Sequence, residues 1–196
     1  MTVEAALPLA QRWRVFLHER FPLPSYIIMT TLLALANVGI AVRVVGGHTQ
    51  IPIILAGFVI ALSFLFRLRC FDEIKDYRTD LQLNPQRPLP RGLLTIQQLQ
   101  IAIGVLAITE MAVASSFGWA PAVTHLVAIS YSFLMYREFF VGTWLRPQLT
   151  LYAITHTIAS VSGMVAGCTG NRVGGLVFTS LSLSLRTCQL DAFQYF

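Results

Sequence analysis

The sequence predicts an all-α, polytopic transmembrane helical bundle of five to six spans. Three observations carry that reading. The chain is 55% hydrophobic and 12% charged, about half the charged fraction of a soluble domain, and its mean hydropathy is +0.65. Its apolar residues fall in runs close to the ~20 residues that a helix needs to cross a bilayer. Its basic residues gather in alternate connections between those runs, an asymmetry that sets orientation in a membrane.

Residues 1–25 hold Glu4, Arg12, Arg14, Glu19 and Arg20. No apolar core precedes a small-residue cleavage site there, so the segment is expected as a cytoplasmic N-terminal segment rather than a signal peptide. The spans then follow in order at 26–45, with Arg43 snorkelling at its end; at 50–66, with a helix able to run on into the acidic residues beyond; at 94–117, with Glu110 inside it; at 119–136; and at 149–167. A short, weak sixth run covers 173–185. The transmembrane domain is thus expected over 26–167, and 168–196 reads as an atypical Gly-, Ser- and Thr-rich tail.

A cytoplasmic N-terminus puts 1–25, 67–93, 137–148 and the residues after the 173–185 run inside. These segments hold 12 of the 14 basic residues, leaving out only Arg43 and Arg172. The orientation implies an integral, multi-pass protein of a cell inner membrane with 67–93 facing the cytoplasm. The net charge of +5 follows from this topology and does not imply a nucleic-acid partner. Cys70, Cys168 and Cys188 have no metal or redox spacing.

Four of the nine acids fall between positions 72 and 80, in "DEIKDYRTDLQLNPQRPLPRG". Asp72, Asp76 and Asp80 are spaced i, i+4, i+8, so on a helix they lie within an arc of roughly 80°, and Glu73 lies close beside them. Like charges at i, i+4 repel, and something positive must compensate. Mg²⁺ suits carboxylate oxygens and leaves positions open for phosphate. Pro85, Pro88 and Pro90 end the helix and stiffen the loop, holding Arg87 and Arg91 near the carboxylates, where guanidinium groups bind phosphate oxygens in pairs. On residue chemistry alone two readings stay open: a Mg²⁺–diphosphate site, and a solvated cytoplasmic loop of internal salt bridges.

The stretch resembles the first aspartate-rich motif of the UbiA superfamily of intramembrane prenyltransferases, which reads N/D-D-x-x-D-x-x-x-D, then R-P-x-x-x-G after a spacer. Asp72, Glu73, Asp76 and Asp80 stand at the acidic positions, and Arg87, Pro88 and Gly92 at the last three. Asp72 stands where Asn is common and Glu73 where Asp is common; both keep oxygen ligands. The resemblance covers about 10–160. It implies catalytic roles for Asp72, Asp76 and Asp80, a Mg²⁺ held by these three and Glu73, and diphosphate contacts from Lys75, Asn84 and Arg87. It also implies substrate-facing roles for Tyr131 and Arg137 in "YSFLMYREFF", with Tyr136 a further candidate. The plain reading of those last residues is an interfacial aromatic belt with a snorkelling Arg.

The implied partners are a polyprenyl diphosphate, a lipophilic acceptor and membrane lipids, and the implied activity is transfer of an alkyl group other than methyl. Family members have about nine helices and a second aspartate motif. Here the only acid after position 162 is Asp191, so the chain is expected as an incomplete version of that bundle. A second expectation follows: a catalytically inactive, truncated or frame-shifted membrane fragment retaining one metal half-site, its open flank meeting lipid or another copy as a homo-oligomer. Glu110, His125 and His156 receive no site role. The D-G and A-R residues of phosphatidyl-alcohol transferases do not accompany Asp72, and no Walker sequence, H-E-x-x-H or G-x-S-x-G occurs.

Overall fold

Five helices follow one another in the computed structural model, which describes residues 7–45 and 51–137. They are α1 (Leu9–Arg20), α2 (Leu23–Val45), α3 (Ile51–Leu83), α4 (Ile96–Ser116) and α5 (Trp119–Tyr136), with no strand among the described residues. The expected all-α class stands, and the expected span at 119–136 coincides with α5. Two helices, Ile54–Leu83 and Ile96–Ser116, are long and apolar enough to cross a membrane. The expected spans at 149–167 and 173–185 lie outside the described residues.

Local chemistry sets the breaks. Pro22 follows α1 and cannot continue it, and His18 and Arg20 place basic groups in its last turn, where they complement the helix dipole. Pro52 sits in the first turn of α3, where its missing N–H costs nothing. The helix stops at Leu83 because Asn84 precedes Pro85, and a residue before proline is pushed out of the helical region. Thr95 caps α4 reciprocally with Gln98: the Thr95 hydroxyl accepts from the Gln98 N–H at 3.2 Å, and the Gln98 side chain accepts from the Thr95 N–H at 3.0 Å. Gly118, at φ 118°, makes the tight turn into α5 in a region that side chains other than glycine avoid.

Helix α3 is 33 residues long, or about 50 Å, well beyond the ~30 Å hydrocarbon core of a bilayer. Its first ~20 residues match that thickness. The remainder, from about position 71, carries the acidic residues beyond that length as continuous helix.

Helix α1 packs across this projecting end. Phe16 is fully buried with Cys70, Phe71, Leu89, Leu93, Leu94, Leu99 and Ile103. Trp13, Phe16, Phe21 and Phe66 meet edge to face, and Phe21 stacks on Tyr26. Arg12 donates through Nε to the Leu93 carbonyl, tying α1 to the loop before α4. Phe71 stacks on Tyr136 at 4.6 Å between ring centres, which brings the end of α5 beside the start of the acidic row.

Large apolar side chains stand on the outside of the bundle as well as in its core, and a group of polar side chains is enclosed. Ile28, Leu32 and Leu35 on α2, Leu55 on α3, Ile101 and Ile108 on α4, and Val127 on α5 are exposed, while Arg67, Glu110, His125 and Ser132 are buried. Arg67, counted in the sequence among the basic residues of 67–93, is buried in the bundle. It is enclosed, its Nη2 donating to Glu110 Oε2 at 3.0 Å and its Nη1 to the Ser132 hydroxyl at 2.6 Å. Ser63 donates to Glu110 Oε1 at 3.0 Å, and His125 Nε2 lies 3.2 Å from Glu110 Oε2.

Candidate functional site

The acidic row occupies successive turns of the projecting end of α3, and its four members have different surroundings. Asp76 is exposed, Asp72 half-buried, and Glu73 and Asp80 buried. Arg87 Nη1 donates to both Asp80 oxygens, at 2.8 and 2.7 Å, and Asn84 Nδ2 donates to Asp80 Oδ1 at 3.1 Å. The proline-rich loop therefore folds Arg87 back onto the row, as its stiffness led one to expect. Arg91 reaches α1. Its guanidinium donates to Glu19 on α1 and to the Gln86 carbonyl, so this arginine fastens the loop to α1.

Glu73 turns toward the bundle. Its Oε1 accepts from Arg20 Nε of α1 at 2.5 Å and from Arg69 Nη2 at 2.8 Å. Its Oε2 is buried without a hydrogen-bond partner, and so is Nε of Arg69. Neither arginine was singled out in the sequence. Arg69 was findable, standing four residues before Glu73 as an i, i+4 partner. Arg20 was not, because only the packing of α1 through Phe16 brings it there.

The electrostatics follow from these contacts. Burial pushes the Asp80 carboxyl up, but hydrogen bonds from Arg87 and Asn84 and the charges of Arg87 and Arg20 outweigh it and hold the group below the ordinary aspartate value. The same hydrogen bond to Asp80 raises Arg87. Asp72 goes the other way. Burial raises its carboxyl, and the charges of Asp76 and Glu73 add to that against the pull of Arg69 and Lys75. Glu73 is paired with Arg20 and Arg69 and Asp80 with Arg87; with Lys75 and Arg78 in the same stretch, four acids stand among five bases, and the formal charge of the row with its partners is close to zero.

The donor set consists of carboxylate oxygens, the ligand type of Mg²⁺, and the partnerless Glu73 Oε2 is free to take a cation. Among the described residues, no three His, Cys, Asp or Glu side chains converge into a metal-holding group; the arginines hold Glu73 and Asp80 instead. On α5, Tyr136 is the tyrosine in contact with α3 beside the row, through Phe71. Tyr131 is half-buried more than a turn earlier, and Arg137, just after the last turn, is exposed.

No protein-family model, no curated protein and no solved structure matches this chain.

Proposed function

We propose that this chain is a multi-pass membrane prenyltransferase of the UbiA type. It would move a polyprenyl group from a polyprenyl diphosphate to a lipophilic acceptor, with its N-terminus and acidic row on the cytoplasmic side. The observation that carries the reading is the row itself. Carboxylates on three successive turns project from the end of an apolar helix, and Arg87 is folded back onto them by the R-P-x-x-x-G loop. Acid for metal beside Arg for phosphate is the pairing that a metal-bound diphosphate requires.

In this reading Asp72, Asp76 and Asp80, with Glu73, would hold Mg²⁺, which supplies positive charge against the leaving diphosphate. Arg87, Lys75 and Asn84 bind and orient the phosphate oxygens, and Arg87 exchanges its Asp80 contact for them. The allylic C–O bond breaks, and the diphosphate leaves with the electron pair. The acceptor forms the new bond to the allylic carbon and loses its proton. Tyr131, Tyr136 and Arg137 mark the part of α5 that faces this end of the bundle, and the apolar helix faces enclose the prenyl tail and keep water from the carbocation.

A second reading has its own support. Glu73 and Asp80 are already neutralised by arginines, as in a stable, catalytically inactive membrane fragment that keeps one metal half-site. Purified protein in lipid nanodiscs, given a prenyl diphosphate and a panel of acceptors with and without Mg²⁺, separates the two. Mg²⁺-dependent transfer to any acceptor supports the enzyme. Diphosphate binding without transfer supports the fragment.

A further inference from the structure

Two unmet atoms lie within one partly buried ion pair. Arg69 and Glu73 touch through a single hydrogen bond, Nη2 to Oε1 at 2.8 Å. A forked arginine–carboxylate pair would also join Nε to the second oxygen, yet Nε of Arg69 and Oε2 of Glu73 are both buried without a partner. The Glu73 side chain is 1% exposed. A buried donor and a buried acceptor left open each carry a desolvation cost. A group that both accepts and donates completes them, and a phosphate oxygen set bearing a proton or a metal ion does both. Arg20 stands on the other side of the same carboxylate, brought there by α1.

We infer that Arg20 and Arg69 form a phosphate clamp, with Glu73 as the counter-ion that occupies the two guanidinium groups until a phosphate arrives. The inference rests on the proposed function and deepens it, for it assigns the diphosphate a second set of arginines from outside the sequence motif. Two guanidinium groups share one carboxylate here, so the clamp has spare positive charge and spare donors. Helix α1 thereby becomes part of the binding site. The ligand chemistry is a phosphate or diphosphate group. Its source is either a prenyl diphosphate or the headgroup of a phosphomonoester lipid.

The test is calorimetric binding of inorganic diphosphate to the full chain in phosphatidylcholine nanodiscs, repeated in nanodiscs containing phosphatidic acid. Arg20→Gln and Arg69→Gln should each weaken binding by about tenfold or more, the effect of a lost charge-assisted contact. Arg20→Lys should recover part of that loss. Glu73→Gln frees both guanidinium groups, so binding measured without Mg²⁺ should tighten. A purely structural role predicts the opposite for Glu73→Gln, namely a lower unfolding temperature and no gain in affinity. Competition by phosphatidic acid assigns the clamp to a lipid headgroup, and lack of competition assigns it to the prenyl diphosphate. Wild-type affinity in folded Arg20→Gln, or failure of Glu73→Gln to tighten binding, overturns the clamp. Loss of diphosphate binding in Arg20→Gln alongside unchanged transfer in Asp76→Ala would leave the clamp standing and remove the metal-assisted mechanism. The reverse pattern would do the opposite.

Discussion

Arg67 on α3 and Glu110 on α4 form an ion pair at 3.0 Å with side chains 0% and 1% exposed. Phe64 covers the guanidinium from one side at 4.8 Å, and Ser63, Ser132 and His125 complete the polar contacts from α3 and α5. Three helices are thus joined at one buried point. A buried charge is costly unless it is paired.

Breaking this pair from one side should hurt more than removing it entirely. Glu110→Ala strands the Arg67 charge and should cost about 3–5 kcal/mol. Replacing both residues together, Arg67→Met with Glu110→Leu, should restore most of the stability, since an apolar pair of similar volume suits the same enclosure. Thermal unfolding in detergent reads both variants. A double variant as unstable as Glu110→Ala would show that the pair stabilises the bundle in its own right.

The Asp80–Arg87 contact predicts a pH dependence at the far end of α3. The folded state holds the Asp80 carboxyl below its ordinary value, so its contribution is fully present above the unfolded value of about 3.9. It is lost as pH falls through the lower folded value. Asp80→Asn should therefore lower the unfolding temperature at pH 7, and the gap from wild type should narrow as pH falls below about 4. A gap independent of pH would mean that the carboxylate charge is not what holds the loop.

Much of this was legible in the sequence, for identifiable reasons. The bounds of α5 were readable because Gly118 and the end of an apolar run mark them. The continuation of α3 through the acids was readable from the i, i+4, i+8 spacing, and its stop from Asn84–Pro85. The Arg87–Asp80 contact was foreshadowed by the proline-stiffened loop. The Arg67–Glu110–His125 group was not foreshadowed. Each of its members stands alone in a different apolar run, and Arg67 borders a charged stretch that made it look cytoplasmic. Only the register between helices reveals that they meet. The role of α1 was hidden for a related reason, because an arginine-rich segment reads as solvated until Phe16 and Trp13 are seen to bury it.

The charge balance of the row predicts that metal and phosphate bind together. Mg²⁺ alone adds two positive charges to a near-neutral group of side chains, and diphosphate alone adds several negative ones. Together they nearly cancel, so each should tighten the other by about tenfold or more, within the usual range of coupling between sites. Calorimetric titration of inorganic diphosphate at several Mg²⁺ concentrations measures this. Affinities independent of one another would point to separate sites.

The orientation predicts which connections can be reached from outside the cell. In a cysteine-free background, His48→Cys should react with an impermeant thiol reagent in intact cells, and Gln82→Cys should react only after the membrane is opened. Position 82 is an exposed residue on the projecting end of α3, so lack of access there reports the membrane and not burial. Labelling at 82 in intact cells would reverse the assigned topology.

The central claim is metal-assisted prenyl transfer at the acidic row, and Asp76→Ala tests it most directly. Asp76 is exposed, so its removal should leave the fold intact while deleting the middle carboxylate of the three. In nanodiscs, with a prenyl diphosphate and an acceptor that supports turnover, wild type should transfer the prenyl group only when Mg²⁺ is present. The variant should lose at least ~100-fold in rate, as expected when a group that stabilises developing charge is removed. Unchanged, Mg²⁺-dependent turnover in Asp76→Ala, or no Mg²⁺-dependent turnover in wild type with any acceptor, would contradict the account.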